Sequence, residues 1–189
     1  MSLIELIAVS FSLACIWLAV KKHYLNWPVG LIGVSAYLVL FYQVKLYADM
    51  ALQIVFILQG IYGWYHWKTS AIEEEIEVSY LTMTERMLYG LLILLVATAI
   101  SWILINYTNA STPYVDSFVA TVSLVANWLM AKKKTENWIL WILADVIYIA
   151  LFWYKELVMS SAIYVVFLIL AIKGFIEWNR KSNIKKVSF

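Results

Sequence analysis

Seven apolar segments, separated by short polar clusters, are the feature of this sequence that most limits its fold. A helix of about 20 apolar residues crosses a hydrocarbon core of about 30 Å. Because a bilayer offers the backbone no hydrogen-bond partners, such segments form helices. The segments are Leu3–Val20, Trp27–Tyr42, Leu46–Trp67, Met87–Tyr107, Tyr114–Ala131, Trp138–Tyr154 and Leu157–Trp178. The pattern predicts an all-α membrane protein with seven transmembrane helices.

The composition excludes several classes of protein. Hydrophobic residues make up 64% of the chain and charged residues 14%, whereas a soluble domain has about 45–50% and about 25%. A net charge of +2 gives no reason to expect nucleic acid as a partner. The single cysteine, Cys15, cannot form an internal disulfide. His23 and His66 lack metal-ligand spacing, so we predict neither a metal nor a cofactor.

The distribution of the cations predicts the orientation in the membrane. With the N-terminus outside, 12 of the 14 lysines and arginines fall on the inner side, and Lys45 and Lys155 fall outside. The inner cations are Lys21, Lys22, Lys68, Arg86, Lys132, Lys133, Lys134, Lys173, Arg180, Lys181, Lys185 and Lys186. The positive-inside rule therefore predicts an outer N-terminus and a cytoplasmic C-terminus.

The two halves of the sequence are related by an internal repeat. Shifted by 111 positions, residues 4–67 align with residues 115–178 without a gap, and eighteen pairs are identical. The identities include the rare pairs Trp27/Trp138 and Gly63/Gly174, which a bias toward leucine and valine would not produce. The chain is therefore predicted to be a duplicated three-helix unit.

The repeat also predicts the domain organisation. One helix lies between the two three-helix units, so both units point the same way in a 3+1+3 plan of parallel repeats. The expected divisions are a first repeat, a linker with the acidic inner loop and fourth helix, a second repeat and a basic cytoplasmic tail, at residues 1–68, 69–112, 113–178 and 179–189. Because transporters of this build hold substrate between their units, the plan favours a transporter.

The sixth segment carries the strongest candidate site. Asp145 is the ionisable group farthest from a helix end, and a carboxylate there costs at least about 2.5 kcal/mol on insertion scales. Trp138, Trp141 and Tyr148 share its helical face. Aromatic faces ending in a carboxylate suit a flat cationic ligand. The alternative is that Asp145 has a structural role, Trp138 belongs to the interfacial belt and the other rings only pack.

The third segment carries a second polar stripe. Asp49 and Gln53 share a helical face that continues to Gly60 and Gly63. A primary amide at Gln53 can both donate to and accept from a ribose or carboxamide. Asp49 lies nearer the outer end, where it could bind substrate or only pair with Lys45.

Several motifs resemble those of one transporter family. LYA at residues 46–48, YGWYxW at 62–67 and ENWxxW at 136–141 are similar to signatures of the PnuC family of nicotinamide riboside transporters. The similarity covers both repeats. One departure is Asp145, because members that carry nicotinamide riboside commonly have asparagine there.

The resemblance implies a homotrimeric facilitator of the inner membrane with a fold related to the SWEET sugar carriers. Its substrate would cross by facilitated diffusion and be trapped by intracellular phosphorylation, feeding NAD synthesis. The family's binding residues fall on Gln53, Trp138, Trp141 and Asp145. Relatives with changed pockets carry thiamine or riboflavin, so thiamine is the alternative substrate.

Two other classes of function compete with transport. Seven helices and Lys173 in the last one would suit a retinal protein, but Lys173 is near the end of its helix, where lysines extend to the interface. An intramembrane enzyme would need a catalytic motif, and the sequence has no GxSxG, HExxH or P-loop pattern. The chain is therefore expected not to be an enzyme.

Overall fold

The structure, a computed structural model, describes most of the chain. It covers residues 3–43, 47–73, 77–108, 111–154, 156 and 158–187, without the side chains of residues 47, 48, 71–73 and 181–187. Lys45, Glu74, Glu75 and Lys155 lie outside the described residues, as do the side chains of Lys181, Lys185 and Lys186.

Seven α-helices make up the described part of the chain, as the apolar segments predict. They are α1 Leu3–Val20, α2 Asn26–Gln43, α3 Tyr47–Glu73, α4 Met83–Tyr107, α5 Pro113–Ala131, α6 Asn137–Tyr154 and α7 Val158–Val187. Most ends lie close to the predicted ones. The exceptions are α3 and α7, which continue past Trp67 and Trp178 because charged residues such as lysine and glutamate are good helix formers once the apolar stretch has ended.

Five of the described helices are long and apolar enough to cross a membrane, namely α1, α4, α5, α6 and the Val158–Arg180 part of α7. Helix α2 begins with Asn26 and ends with Gln43, and α3 carries Gln53 and Gln59 within its apolar stretch. These lengths and compositions identify a multi-pass helical membrane protein.

The helices pack in a closed ring within the described residues. Helix α1 contacts α2 and α7, α3 contacts α2 and α5, and α6 contacts α5 and α7. Helix α4 lies outside the ring and contacts α5. The ring has an interior lined by one face of each of six helices.

Two tight turns close the same end of the ring. Lys22 follows α1 and Lys133 follows α5, both in the left-handed region at φ 56° and 59°. Their N–H groups donate to the carbonyl oxygens of Ala19 and Met130, each at 2.9 Å. This pattern satisfies carbonyls at a helix C-terminus that would otherwise lack donors. We call this end of the bundle the basic end.

The segment before α4 crosses the basic end. Residues 77–82, here called the strap, pair with the α5–α6 turn, where the Ser79 N–H donates to the Lys133 carbonyl at 3.1 Å. The Leu81 N–H donates to the carboxylate of Glu136 at 3.1 Å, and Arg86 forms an ion pair with Glu136 at 2.8 Å. These bonds hold the first turn of α4 against α6.

A cavity of about 270 Å³ lies beside the strap, at the basic end. Its lining residues are Tyr80, Arg86, Glu136, Ile139, Phe175 and Asn179. The hydroxyl of Tyr80 donates to the amide oxygen of Asn179 across it, joining the strap to α7. None of the predicted site residues lines this cavity.

Candidate functional site

Helix α6 turns its predicted functional face toward the other helices. Asp145 and Trp138 are buried, and Trp141 and Tyr148 are half-buried. The opposite face exposes apolar side chains, namely Ile139, Leu143 and Val146. The four residues chosen from the sequence therefore share one inward face.

Asp145 is the unusual group on that face. Its side chain is 4% exposed, and it makes no hydrogen bond or ion pair with any residue that the structure describes. Buried carboxylates are normally paired because desolvation of the charge is costly. An unpaired carboxyl at this depth is suited to a cationic or hydrogen-bonding ligand.

Two tyrosines, Tyr148 and Tyr164, lie near Asp145, and a third, Tyr37, lies near Tyr164. The rings of Tyr148 on α6 and Tyr164 on α7 have centroids 4.6 Å apart. Tyr37 on α2 and Asp145 lie close enough to Tyr164 to interact with it electrostatically. The hydroxyl of Tyr148 also faces that of Ser123 on α5. The interior of the ring therefore has aromatic faces, hydroxyl groups and one buried carboxyl together.

Further carboxylates lie toward the end of the ring opposite the basic end. Asp49 lies in the first turn of α3 and Asp116 in the first turn of α5, and both act electrostatically on Tyr148. Asp116 accepts a hydrogen bond from the Thr112 hydroxyl at 3.0 Å. Asp49 is exposed, and Lys45, its predicted partner, lies outside the described residues. Among the described residues, this end of the interior therefore carries the carboxylates Asp49 and Asp116.

The two glutamines of α3 have different surroundings. Gln59 donates to the Leu124 carbonyl at 3.3 Å and accepts from Asn127 at 2.9 Å, so it joins α3 to α5. Gln53 is half-buried and has no hydrogen-bond partner among the described residues. A polar amide without a partner inside a membrane protein is available to a ligand.

Trp138 lies at the basic end, in a group of four indoles that we call the indole cluster. Its members are Trp27, Trp67, Trp138 and Trp178. Trp138 meets Trp178 edge to face at 5.4 Å, and Trp27 meets Trp67 in the same way at 5.7 Å. Trp67 and Trp178 lie 5.9 Å apart and connect the two pairs. The cluster fills the basic end of the ring interior.

Two indole hydrogen bonds fix the cluster across the ring. Trp67 on α3 donates from Nε1 to the carbonyl oxygen of Ala131 at the end of α5, at 3.2 Å. Trp178 on α7 donates from Nε1 to that of Ala19 at the end of α1, also at 3.2 Å. These bonds join α3 to α5 and α7 to α1, so they keep the basic end closed. Trp138 is therefore placed apart from Asp145 and Tyr148, with Trp141 between.

Sequence reasoning missed two residues that contribute to the interior. Tyr164 and Ser123 both contact the Tyr148 side chain, yet each looks unremarkable in its own segment. A signal for Tyr164 was present, because the shift of 111 aligns it with Gln53. Within the described residues, no group of three or more His, Cys, Asp or Glu is placed to hold a metal.

Comparison with known proteins assigns the sequence to one family. Residues 2–180 match the family described as Nicotinamide mononucleotide transporter. The chain is 29% identical to "Nicotinamide riboside transporter PnuC" of Escherichia coli (strain K12), with 94% of this chain and 85% of that protein aligned. It is 27% identical to the protein of the same name from Neisseria mucosa, over 92% of this chain and 71% of that one.

Two further comparisons cover the fold and a second substrate class. A solved structure titled "Crystal structure of the Vitamin B3 transporter PnuC" is similar with a TM-score of 0.76 and 26% identity, over 94% of this chain and 80% of that one. "Riboflavin/roseoflavin transporter RibM" of Streptomyces davaonensis is 25% identical over 88% of this chain and 79% of that protein.

Proposed function

This chain belongs to the nicotinamide mononucleotide transporter family, and on that premise we propose that it carries nicotinamide riboside across the inner membrane. The relatives named for nicotinamide riboside align with more than nine tenths of the chain. The observation that carries the proposal is Asp145, a buried carboxyl without a hydrogen-bond partner in the described structure, beside Trp141, Tyr148 and Tyr164.

The chemistry of the interior suits this substrate. Nicotinamide riboside has a flat pyridinium cation, a carboxamide and a ribose. A ring face of Trp141 or Tyr148 can stack on the pyridinium, and Asp145 can offset its charge. The Gln53 amide can both donate to and accept from the carboxamide or the ribose. Trp138 would form the floor of the site at the basic end, and Asp49 would attract the cation at the other end.

We further propose that the helices form two parallel repeats in a 3+1+3, SWEET-like arrangement with seven crossings. The aligned turns support this, because Lys22 and Lys133 share the same positive φ and equivalent hydrogen bonds. The arrangement of helix neighbours also supports it, because exchanging α1–α3 with α5–α7 leaves the ring of contacts unchanged. The substrate would then sit between two units that can rock against each other.

The basic end is proposed to face the cytoplasm, which puts the N-terminus outside. Lysines dominate the turns and helix ends there, in keeping with the positive-inside rule. In this orientation, the indole cluster closes the path to the cytoplasm, and the end with Asp49 and Asp116 receives substrate. Release inward requires Trp67 and Trp178 to separate from the helix ends that they hydrogen-bond.

Transport is proposed to be facilitated diffusion by a homotrimer, without a cofactor and without an enzymatic step. The substrate would move down its gradient and be trapped by intracellular phosphorylation on the route to NAD. Because the family and its named relatives are transporters, an enzymatic activity has no support from them.

A second candidate is another B vitamin, thiamine or riboflavin. The relative named for riboflavin and roseoflavin supports a family pocket that accepts other ring systems. Asp145 would also suit the aminopyrimidine of thiamine. Competition binding by purified protein separates the three vitamins: nicotinamide riboside should displace labelled nicotinamide riboside at the lowest concentration. Displacement by a lower concentration of thiamine or riboflavin would identify that vitamin as the substrate instead.

A further inference from the structure

Two lysines converge on one tryptophan at the basic end, on the outer surface of the bundle. The Nζ atom of Lys21 lies 5.3 Å from the ring centroid of Trp17, and that of Lys173 lies 5.2 Å from it. Trp17 lies on α1, Lys21 directly follows α1 and Lys173 lies on α7, so the group forms where these two helices pack together. The Trp17 ring is itself 44% exposed.

Within the part of the chain that the structure describes, no carboxylate neutralises the two ammonium groups through an ion pair. Neither Lys21 nor Lys173 makes an ion pair with any residue that the structure describes. Glu177, one turn further along α7, is exposed and likewise pairs with no described residue. Like charges held together repel, which an anion between them would relieve.

The equivalent position on the opposite side of the ring has one cation instead of two. Lys132 lies 5.0 Å from the Trp128 centroid and 5.3 Å from that of Tyr62. By the shift of 111, Lys132 and Trp128 correspond to Lys21 and Trp17, and Tyr62 corresponds to Lys173. An aromatic ring therefore stands where the α1–α7 group has its second ammonium.

The surface beside the lysines is apolar. Ile169, Ile172 and Ile176 line an exposed face of α7 next to Lys173. A cationic and aromatic group at the end of an apolar helical face matches a phospholipid, which presents a phosphate above acyl chains. Basic pockets between transmembrane helices on the cytoplasmic side bind such headgroups.

We propose that Lys21, Lys173 and Trp17 bind the phosphate of an anionic phospholipid from the leaflet at the basic end, with an acyl chain along α7. The site is independent of the transported substrate, because Asp145 and Gln53 line the interior of the ring and this group lies outside it. Lys132 and Tyr62 supply a control with the same helix geometry and one ammonium fewer.

Native mass spectrometry of the full-length protein in neutral detergent tests the proposal, using phosphatidylglycerol and phosphatidylcholine with identical acyl chains. Each lysine near an anionic headgroup is worth about fivefold in affinity, so with two lysines the parent protein should prefer phosphatidylglycerol by roughly tenfold or more. The double variant Lys21→Gln/Lys173→Gln should lose the preference, and the control Lys132→Gln should keep it. Equal binding of both lipids by the parent would overturn the proposal.

Three further arms make the test decisive. If the double variant keeps its preference for phosphatidylglycerol, or if Lys132→Gln loses as much of it, the lipid binds through unspecific surface charge. Either result would contradict the proposed site. If the double variant unfolds, Lys173→Tyr replaces it, because tyrosine already occupies the corresponding position 62; it too should lose most of the preference. Excess inorganic phosphate should leave phosphatidylglycerol bound, and displacement would assign the site to free phosphate instead.

Discussion

Gly174 lies so close to Trp138 that a Cβ atom at position 174 would stand 2.5 Å from the indole ring. Gly63 stands in the same relationship to Trp27, also at 2.5 Å. Real Cβ atoms do not approach a ring this closely, so each glycine is required by the tryptophan beside it. The indole cluster therefore depends on the absence of two side chains.

Replacing either glycine by alanine should displace its tryptophan. Overpacking of a filled interior costs about 1–3 kcal/mol, so Gly174→Ala and Gly63→Ala should lower the thermal unfolding midpoint in detergent. Gly90→Ala is the matched control, because nothing lies within 4 Å of its added Cβ and alanine favours a helix. A midpoint in Gly174→Ala as high as in Gly90→Ala would contradict this packing.

Asp145 should favour a positively charged ligand over a neutral one. Asp145→Asn preserves the shape of the side chain and removes the acidic group that can become charged beside a bound cation, so binding of nicotinamide riboside should weaken by roughly tenfold, about 1.4 kcal/mol. Binding of the uncharged dihydro form should change much less. Isothermal titration calorimetry with both ligands measures the difference.

The control for this variant is Glu177→Gln, which removes an exposed carboxylate on α7. It should leave both affinities unchanged. A parallel loss for the charged and uncharged ligands in Asp145→Asn would show that Asp145 maintains the fold of the site rather than recognising charge.

The two indole hydrogen bonds should stabilise the closed basic end. Trp67→Phe and Trp178→Phe keep an aromatic ring and remove the donor to Ala131 or Ala19, which costs about 0.5–1.5 kcal/mol each. Hydrogen exchange should become faster at the ends of α1 and α5 in these variants. Trp102→Phe, at an exposed position on α4, should leave exchange at those ends unchanged. Unchanged exchange in both Trp67→Phe and Trp178→Phe would contradict a stabilising role for these two hydrogen bonds.

Local sequence signals account for the helices and for the inward face of α6. Helices α2 and α6 begin at Asn26 and Asn137, one residue before the predicted apolar segments that start at Trp27 and Trp138. The spacing of Trp138, Trp141, Asp145 and Tyr148 is that of one helical face, and the structure turns that face inward.

Contacts between distant parts of the chain could not be predicted in the same way. Nothing local distinguishes Tyr164 from other tyrosines. The repeat aligns it with Gln53, but its contact with Tyr148 forms when α7 packs against α6. The strap bonds Leu81 to Glu136, and no periodicity connects these two segments. For Trp138, the sequence indicated an inward ring, but its place in the indole cluster depends on α7 and Gly174.

Uptake by liposomes containing the purified protein tests the central claim most directly. The vesicles are given radiolabelled nicotinamide riboside on one side, with no ion or pH gradient. We expect the label to enter much faster than into protein-free vesicles and its net entry to stop at equal concentrations inside and outside. Entry should be slower with Asp145→Asn. Uptake at the rate of protein-free vesicles for nicotinamide riboside, while thiamine or riboflavin is taken up, would contradict the substrate. Uptake at that rate for all three vitamins would contradict the proposed transport itself.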